Sequence, residues 1–492
     1  MNDNLDQLVS RRSFLRQGSC AALGLAGITN QVFALRSINA ALESVATPFN
    51  DYKALICIFM FGGNDSGNTV IPWDGGDQNY ADYAQERTTL ALTPGELAPN
   101  VVAPSNTGTR RFAMHPAFAG VRDLFNQGNV AVLNNVGTLL FPMTRDDYRN
   151  STVPRPSQLF GHNFQQEQWQ LTRPDATDGL GWGGRIADMV QANGANPNAS
   201  VSMNISIAGQ SRFLAGRDVT AYSVGRNGPI GLDLNTSRQS QVHQAFLDML
   251  AVQDDPTHPA STPMRKVIAD ISRRAVDNGA LIDSLLDQPT VITTPRPDSN
   301  LGQQVQMVAR LIEFGMSGLG HNRQVFFVSL GGFDNHNGLI GDPNGLTEQA
   351  RLGPHGTRLK EVNDALLYLH SALTELGMLD QVTTFTASDF ARTYRSNGNG
   401  SDHGWGSSQF VMGGSQVDGG KFYGQYNNIL LGGPDDSSNT RGQFIPTTAV
   451  EQYGFELARW MGVPISEMDT VFPNVSRFLD TRDPATHLNI LS

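Results

Sequence analysis

The chain has 492 residues, 39% hydrophobic and 16% charged, which excludes a disordered protein and leaves room for one large domain or two smaller ones. Its formal charge of −11 excludes a nucleic-acid partner, because phosphate backbones demand a basic surface that this sequence lacks. Only two cysteines occur, Cys20 and Cys57, so no disulfide framework holds the fold, while 51 glycines and 25 prolines predict many loops.

The N-terminus carries "SRRSFLRQ" at Ser10 to Gln17, followed by the modestly apolar "GSCAALGLAGI". Paired Arg11 and Arg12 ahead of Ser13, Phe14 and Leu15 read as a twin-arginine export signal, and the apolar run is too short to span a bilayer as a stable helix. The alternative is a basic arm on a protein that stays inside. Residues 1–46 are taken as signal and linker, with cleavage after Ala34 or near Ala46, and 47–492 as one domain. The expected partner at this stage is the twin-arginine translocase, and the expected destination is periplasmic or extracellular. Gln17, Gly18 and Ser19 do not form a lipoprotein lead-in to Cys20, so no lipid anchor is expected.

Beyond the leader, "KALICIFMFGGND" (Lys53 to Asp65) is a continuous apolar run ending in two glycines, the pattern of a strand buried on both faces. "HPAFAGVRDLFNQGNVAVLNNVG" reads as an amphipathic helix, a stop at Gly128 and a second buried strand over Val130 to Asn134. "ASVSMNISIAG" alternates like a half-buried strand, and the polar stretch 237–300, which includes the linker "QPTVITTPRPDSN", reads as a helical insertion. Helix "QQVQMVARLIEFGMSG" then precedes strand "QVFFVSLGGFDNH". The next helix shows the stripe Leu359, Val362, Leu366, Leu369, Leu373 and leads to strand "VTTFTASDF". "SQFVMGG" is a candidate further strand, and "IPTTAVEQYGFELARWMGV" a helix packed on the sheet. Strand and helix alternation predicts an α/β fold: a mostly parallel sheet with helices on both faces.

In such sheets ligands gather beyond the C-terminal strand ends. Three strand ends carry acids here: Asp65, Asp334 with His336 close behind, and Asp389; Asp402 and His403 follow on the next loop. Carboxylates converging on one edge are tolerated around a cation. Oxygen and imidazole donors without thiolate suit Zn²⁺, Mn²⁺, Mg²⁺ or Ca²⁺, in one or two ions, and do not choose among them. Each residue also has a plainer role open to it. Asp65 can stabilise a Gly/Asn turn, Asp389 can cap a helix starting at Phe390, and His336 and the Asp402–His403 pair can be solvated loop residues.

The motifs "FGGNDSGNTVIP", "HPAF", "LFGHNFQQEQW", "GLGWGGR", "GGFDNHNG", "SDFARTYRSNGNGSDHGWG" and "GQFIPTTAVEQYGFELARWMGV" resemble the exported family catalogued as domain of unknown function 1501, related to the alkaline phosphatase and sulfatase superfamily. The resemblance runs through nearly the whole mature chain. It implies an alkaline phosphatase-like domain in which Asp65 and Asp389 hold one metal position, and Asp334, His336 and His403 another. It also implies a hydroxyl or modified cysteine nucleophile at a helix start, yet where relatives carry Ser-His this chain has Gly161 and His162. Ser157, Thr144 and Thr69 are substitutes by type, each also a candidate turn or cap residue, and metal-activated water is another.

Arg185 and Arg392 are candidates to grip an anion, with ordinary surface arginine as the alternative, and His162, Gln165 and Gln166 stand where substrate contacts are expected. Trp169 and Trp182 are either a sugar platform or core. His162 and Arg392 are the residues expected to act in catalysis. The implied activity is metal-dependent hydrolysis of a phosphate or sulfate ester, small or polymer-borne. A non-catalytic exported binding or assembly protein that retains the fold is the other class, favoured by Gly161.

Overall fold

A computed structural model describes residues 49–173, 179–229 and 262–492, together with 244–245, 247–249 and 251–252. The export signal, and much of the expected insertion between 230 and 261, lie outside the described residues. Among those described, no helix is long and apolar enough to cross a membrane.

Thirteen strands occur among the described residues. They are β1 (Lys53–Met60), β2 (Val70–Asp74), β3 (Val101–Val102), β4 (Arg111–Met114), β5 (Val130–Gly137), β6 (Asn204–Ser206) and β7 (Tyr222–Gly225). After them come β8 (Gly228–Pro229), β9 (Arg323–Leu330), β10 (Val382–Ser388), β11 (Ser407–Met412), β12 (Phe422–Tyr423) and β13 (Thr448–Ala449). Ten form one sheet in the order β12-β5-β11-β10-β1-β9-β6-β7-β8, with β13 also on β5, and β2-β4-β3 form a small antiparallel sheet. The large sheet is mostly parallel. Only β11 and β8 run against their neighbours.

The apolar run in β1 explains its central place. Ala54, Ile56, Ile58 and Met60 face one helical layer, and because side chains alternate, Leu55, Cys57 and Phe59 face the other. The helices named below are α1 (Tyr80–Arg87), α2 (Ala119–Asn126), α3 (His162–Leu171), α4 (Trp182–Ala192), α5 (Pro263–Leu286), α6 (Asn300–Glu313), α7 (Glu348–Glu375, broken at Gly353) and α8 (Val450–Met461). Leu359, Val362, Leu366, Leu369 and Leu373 of α7 join α6 and α2 in the first layer. On the opposite face, Trp182 of α4 stacks 5.4 Å from Phe385, and Phe385 lies 5.7 Å from Tyr453 of α8. Trp169 and Trp182 are therefore core, 1% and 2% exposed, and neither offers a platform to a ligand.

Register brings the three acid-bearing strands level. Met60 pairs with Ser388 on one side and with Leu330 on the other, so the chains leave β1, β10 and β9 at the same rim. Gly62 sits where the three exits meet, at φ +113°, and a Cβ there would lie 2.5 Å from the Asp334 backbone nitrogen. Only glycine tolerates both the positive φ and that approach. The strand expected over Val130 to Asn134 extends to Gly137, and the segment expected to be half-buried reduces to β6, which is wholly buried.

Candidate metal centre

The rim assembles a cluster from four chain segments. His162 is the first residue of α3, Asp334 and His336 follow β9, Asp389 follows β10, and His403 stands on the loop before β11. His162, Asp334 and His403 each offer one donor atom, all within 4.8 Å of one another, and this is the group among the described residues able to share an ion.

Both imidazoles are held by their Nδ1. That of His162 lies 2.7 Å from Asp389 Oδ2, and that of His403 lies 2.7 Å from the Phe160 carbonyl. A carbonyl only accepts, so His403 carries its proton on Nδ1 and turns a lone pair outward from Nε2. Each Nε2 is buried without a hydrogen-bond partner and stands 3.4 Å from an Asp334 oxygen. A carboxylate or carbonyl that fixes one ring nitrogen while the other is left bare is the arrangement that orients imidazole toward a metal.

Electrostatics sharpen this. The hydrogen bond that His162 donates to Asp389 raises its pKa above the ordinary imidazole range, against the opposing effect of burial. Burial lowers that of His403, so a neutral ring with an unprotonated Nε2 faces the Asp334 carboxylate. Burial alone would raise the Asp334 pKa, but the Arg392 guanidinium, 2.6 Å from Oδ1, brings it below the usual value. Phe160, whose carbonyl holds His403, sits at φ +72°, a backbone region that costs a non-glycine residue roughly 1 kcal/mol.

The remaining expected site residues separate clearly. Asp389 is 1% exposed, and its Oδ2 takes both His162 and Gln166 Nε2, the latter at 2.8 Å, while Gly62 N–H approaches both oxygens at 3.3 Å. It orients His162 rather than standing in the three-residue group. Phe390 starts no helix, so Asp389 caps none. Asp65, 0% exposed, is paired with Arg87 of α1, whose guanidinium also donates to Asn68, Thr393 and Tyr394. Asp402 turns away to Arg441 at 2.8 Å and Asn397 at 3.1 Å. His336 lies at the cluster's edge, its Nδ1 2.9 Å from Asp334 Oδ1 and 3.2 Å from an Arg392 nitrogen.

Neither arginine is placed to grip an anion. Arg185 donates to the carbonyls of Leu171, Leu180 and Val471 and to Thr172, knitting α4 into the core. Arg392 has a fully buried side chain and donates to Asp334, to the Gly62 carbonyl and to the Ser401 carbonyl, which makes it a positioning residue beneath Asp334. Gln165 is buried, its amide spent on Thr138 and Gln168. No substitute hydroxyl reaches the cluster: Thr144 caps a helix, Thr69 donates to the Asp65 carbonyl, and Ser157 meets Gln168. Gly161 is the N-cap of α3, at an ordinary φ of −97° and with no side chain to occupy the first N–H groups of the helix.

Sequence reasoning missed Arg87 entirely. In the sequence it is one basic residue in the polar stretch "YADYAQER", which is unremarkable by composition. The His162-to-Gln166 spacing was a usable signal, since residues four apart share a helix face.

The family profile described as "Protein of unknown function (DUF1501)" matches residues 52–441. No protein of curated function matches the sequence. Among solved structures, Ps i-CgsB is similar at 9% identity and TM-score 0.35, covering 87% of this chain and 78% of that one. The PsFucS1 sulfatase from Pseudoalteromonas sp. is 10% identical with TM-score 0.32, over 88% and 71%. The phosphonate monoester hydrolase SpPMH from Silicibacter pomeroyi is 8% identical with TM-score 0.33, over 84% and 74%.

Proposed function

The chain belongs to the DUF1501 family of proteins of unknown function, and for this member we propose an exported, metal-dependent hydrolase of phosphate or sulfate esters with an alkaline phosphatase-type domain. The observation that carries the reading is the pair of partnerless Nε2 atoms, on His162 and His403, facing the Asp334 carboxylate. At His403, whose ring is neutral, the bare Nε2 lone pair and an Asp334 oxygen repel at 3.4 Å, and a cation among them removes the repulsion. Two nitrogens and one oxygen suit Zn²⁺ or Mn²⁺ better than the oxygen-seeking Mg²⁺ and Ca²⁺. We assign one ion rather than two, because Arg87 already neutralises Asp65, and Asp389 is committed to His162 and Gln166.

When bound, such an ion supplies positive charge to an ester oxygen and acidifies water. The protein's own residues do the rest. Asp389 and Gln166 fix the tautomer and direction of His162, the Phe160 carbonyl does the same for His403, and Arg392 holds Asp334 in its charged form. The uncapped first turn of α3 presents backbone N–H groups, a fit for the anionic portion of the ester. With no side-chain hydroxyl at Gly161, water is the attacking group in this reading. The same glycine favours the second reading, a metal-holding protein that binds an anion without turning it over.

Metal analysis of the purified mature protein by mass spectrometry, beside a panel of phosphate and sulfate esters, separates the two. Stoichiometric metal with turnover abolished by Asp334→Asn is the expected result. Metal without turnover moves the assignment to the binding protein, and a metal-free protein overturns both. Export is tested by replacing Arg11 and Arg12 with lysine, which is expected to retain uncleaved precursor inside the cell.

A further inference from the structure

A cavity of about 550 Å³ opens between the small sheet and the segment after β12, and it shares no lining residue with the metal centre. Its wall is built rather than accidental. Asn106 exchanges two hydrogen bonds with the Phe422 backbone, at 2.6 and 3.0 Å, and Tyr426 donates its hydroxyl to the Val70 carbonyl at 2.9 Å.

Two lining polar atoms, Arg110 Nε and Gln78 Oε1, are left without hydrogen-bond partners inside this fixed frame. The guanidinium carbon of Arg110 lies 4.9 Å from the Phe112 ring centroid and 5.2 Å from that of Tyr426, held between two aromatic faces. Its Nε is buried and unsatisfied, and it enters no ion pair among the described residues. Gln78 is 6% exposed, and its Oε1 is likewise buried with no donor. A buried polar atom without a partner carries a desolvation cost that a ligand can offset.

Together these groups define a ligand. Arg110 calls for an anionic oxygen pair, since a planar guanidinium matches carboxylate or sulfate geometry. Gln78 Oε1 calls for a hydroxyl or N–H donor, and the rest of the lining is amide-rich around a small aromatic floor, with the exposed carboxylate of Asp77 also lining the cavity and able to accept from ligand hydroxyls. The volume falls in the range of small-molecule sites. We propose that this cavity binds a small polyhydroxylated anion, of the sugar-acid or sugar-sulfate type, with Arg110 on the charged group and Gln78 on a hydroxyl. This stands independently of the ester-hydrolase reading.

Calorimetric titration of the full protein with glucuronate, glucose 6-sulfate and glucose tests it. At least one charged sugar is expected to bind at millimolar concentration or below, with glucose weaker by about tenfold or more. Which of the two binds better identifies the anionic group. Arg110→Gln is expected to remove the preference for charge, and Gln78→Leu to weaken the charged sugar several-fold, with both variants keeping the parental melting temperature within a few degrees. Because glucose 6-sulfate could also visit the rim, the titration is repeated on Asp334→Asn protein, where the cavity still binds. Failure of both charged sugars to bind overturns the proposal, as does binding that survives Arg110→Gln and disappears in Asp334→Asn.

Discussion

The loops leaving β1 and β9 carry the same signature, paired glycines and then an aspartate, but the two carboxylates live in different surroundings. Asp65 is sealed against the Arg87 guanidinium, whereas the Asp334 side chain keeps 44% of its surface and faces imidazoles. Neighbouring strand ends thus turn one motif into a structural ion pair and into a candidate ligand. What differs is the partner, and it comes from α1, an element that the loops themselves do not specify. A buried carboxylate needs its counter-charge in the fold, and an exposed one can take it from solution.

The largest expected effect tests the sealed side of that comparison. Arg87→Met strands Asp65 as an unpaired buried charge and is expected to cost about 3–5 kcal/mol in urea unfolding. Adding Asp65→Asn should recover part of the loss, and a cost below about 1 kcal/mol for the single variant would mean that the pair holds nothing together.

On the open side, Asp389→Asn removes the carboxylate that orients His162 and is expected to weaken metal binding by about 10–100-fold in chelator competition. Asp65→Asn in the same assay should leave metal affinity unchanged. Equal losses in both variants would erase the distinction between the two loops.

A smaller effect comes from the buried imidazoles behind Asn64. Burial brings the His355 pKa down to about 3 and lowers that of His115 well below its ordinary value. Their folded pKa values lie below the unfolded value near 6.5, so only the unfolded chain takes up protons as pH falls through and below 6.5. Stability is then lost on acidification at about 1.4 kcal/mol per pH unit for each imidazole. His355→Gln should flatten the acid limb of the unfolding midpoint against pH by one such contribution, and an unchanged slope would contradict it. Least affected should be Asp402→Asn, at about 0–1 kcal/mol with metal content intact, because Asp402 serves a partly exposed pair with Arg441.

Much of the frame was legible in the sequence. The continuous apolar run of Lys53 to Met60 identified a doubly buried strand, and the glycine–acid signatures located the rim where β1, β9 and β10 end together. Roles within the rim were not legible. Asp389 was expected as a ligand and His162 as a catalytic contact, whereas the structure puts the imidazole in the three-residue group and the carboxylate behind it. Residue type at a strand end reveals a donor, not what already occupies its oxygens. Arg185 and Arg392 illustrate the same limit, since their donors are consumed by carbonyls and an acid distant in sequence. The reversal of β11 was not anticipated, and the structure supplies its reason. The segment between Ser388 and Ser407 contains no helix, and a parallel return usually needs one.

Cys57 lies in the middle of β1 at 2% exposure, flanked by strands on both sides and helices above and below. A thiol reagent can reach it only after the sheet has come apart, so its labelling rate counts whole-molecule opening events without any engineered probe. The Cys57 sulfhydryl is therefore a native clock for kinetic stability, one that can be read with and without added metal.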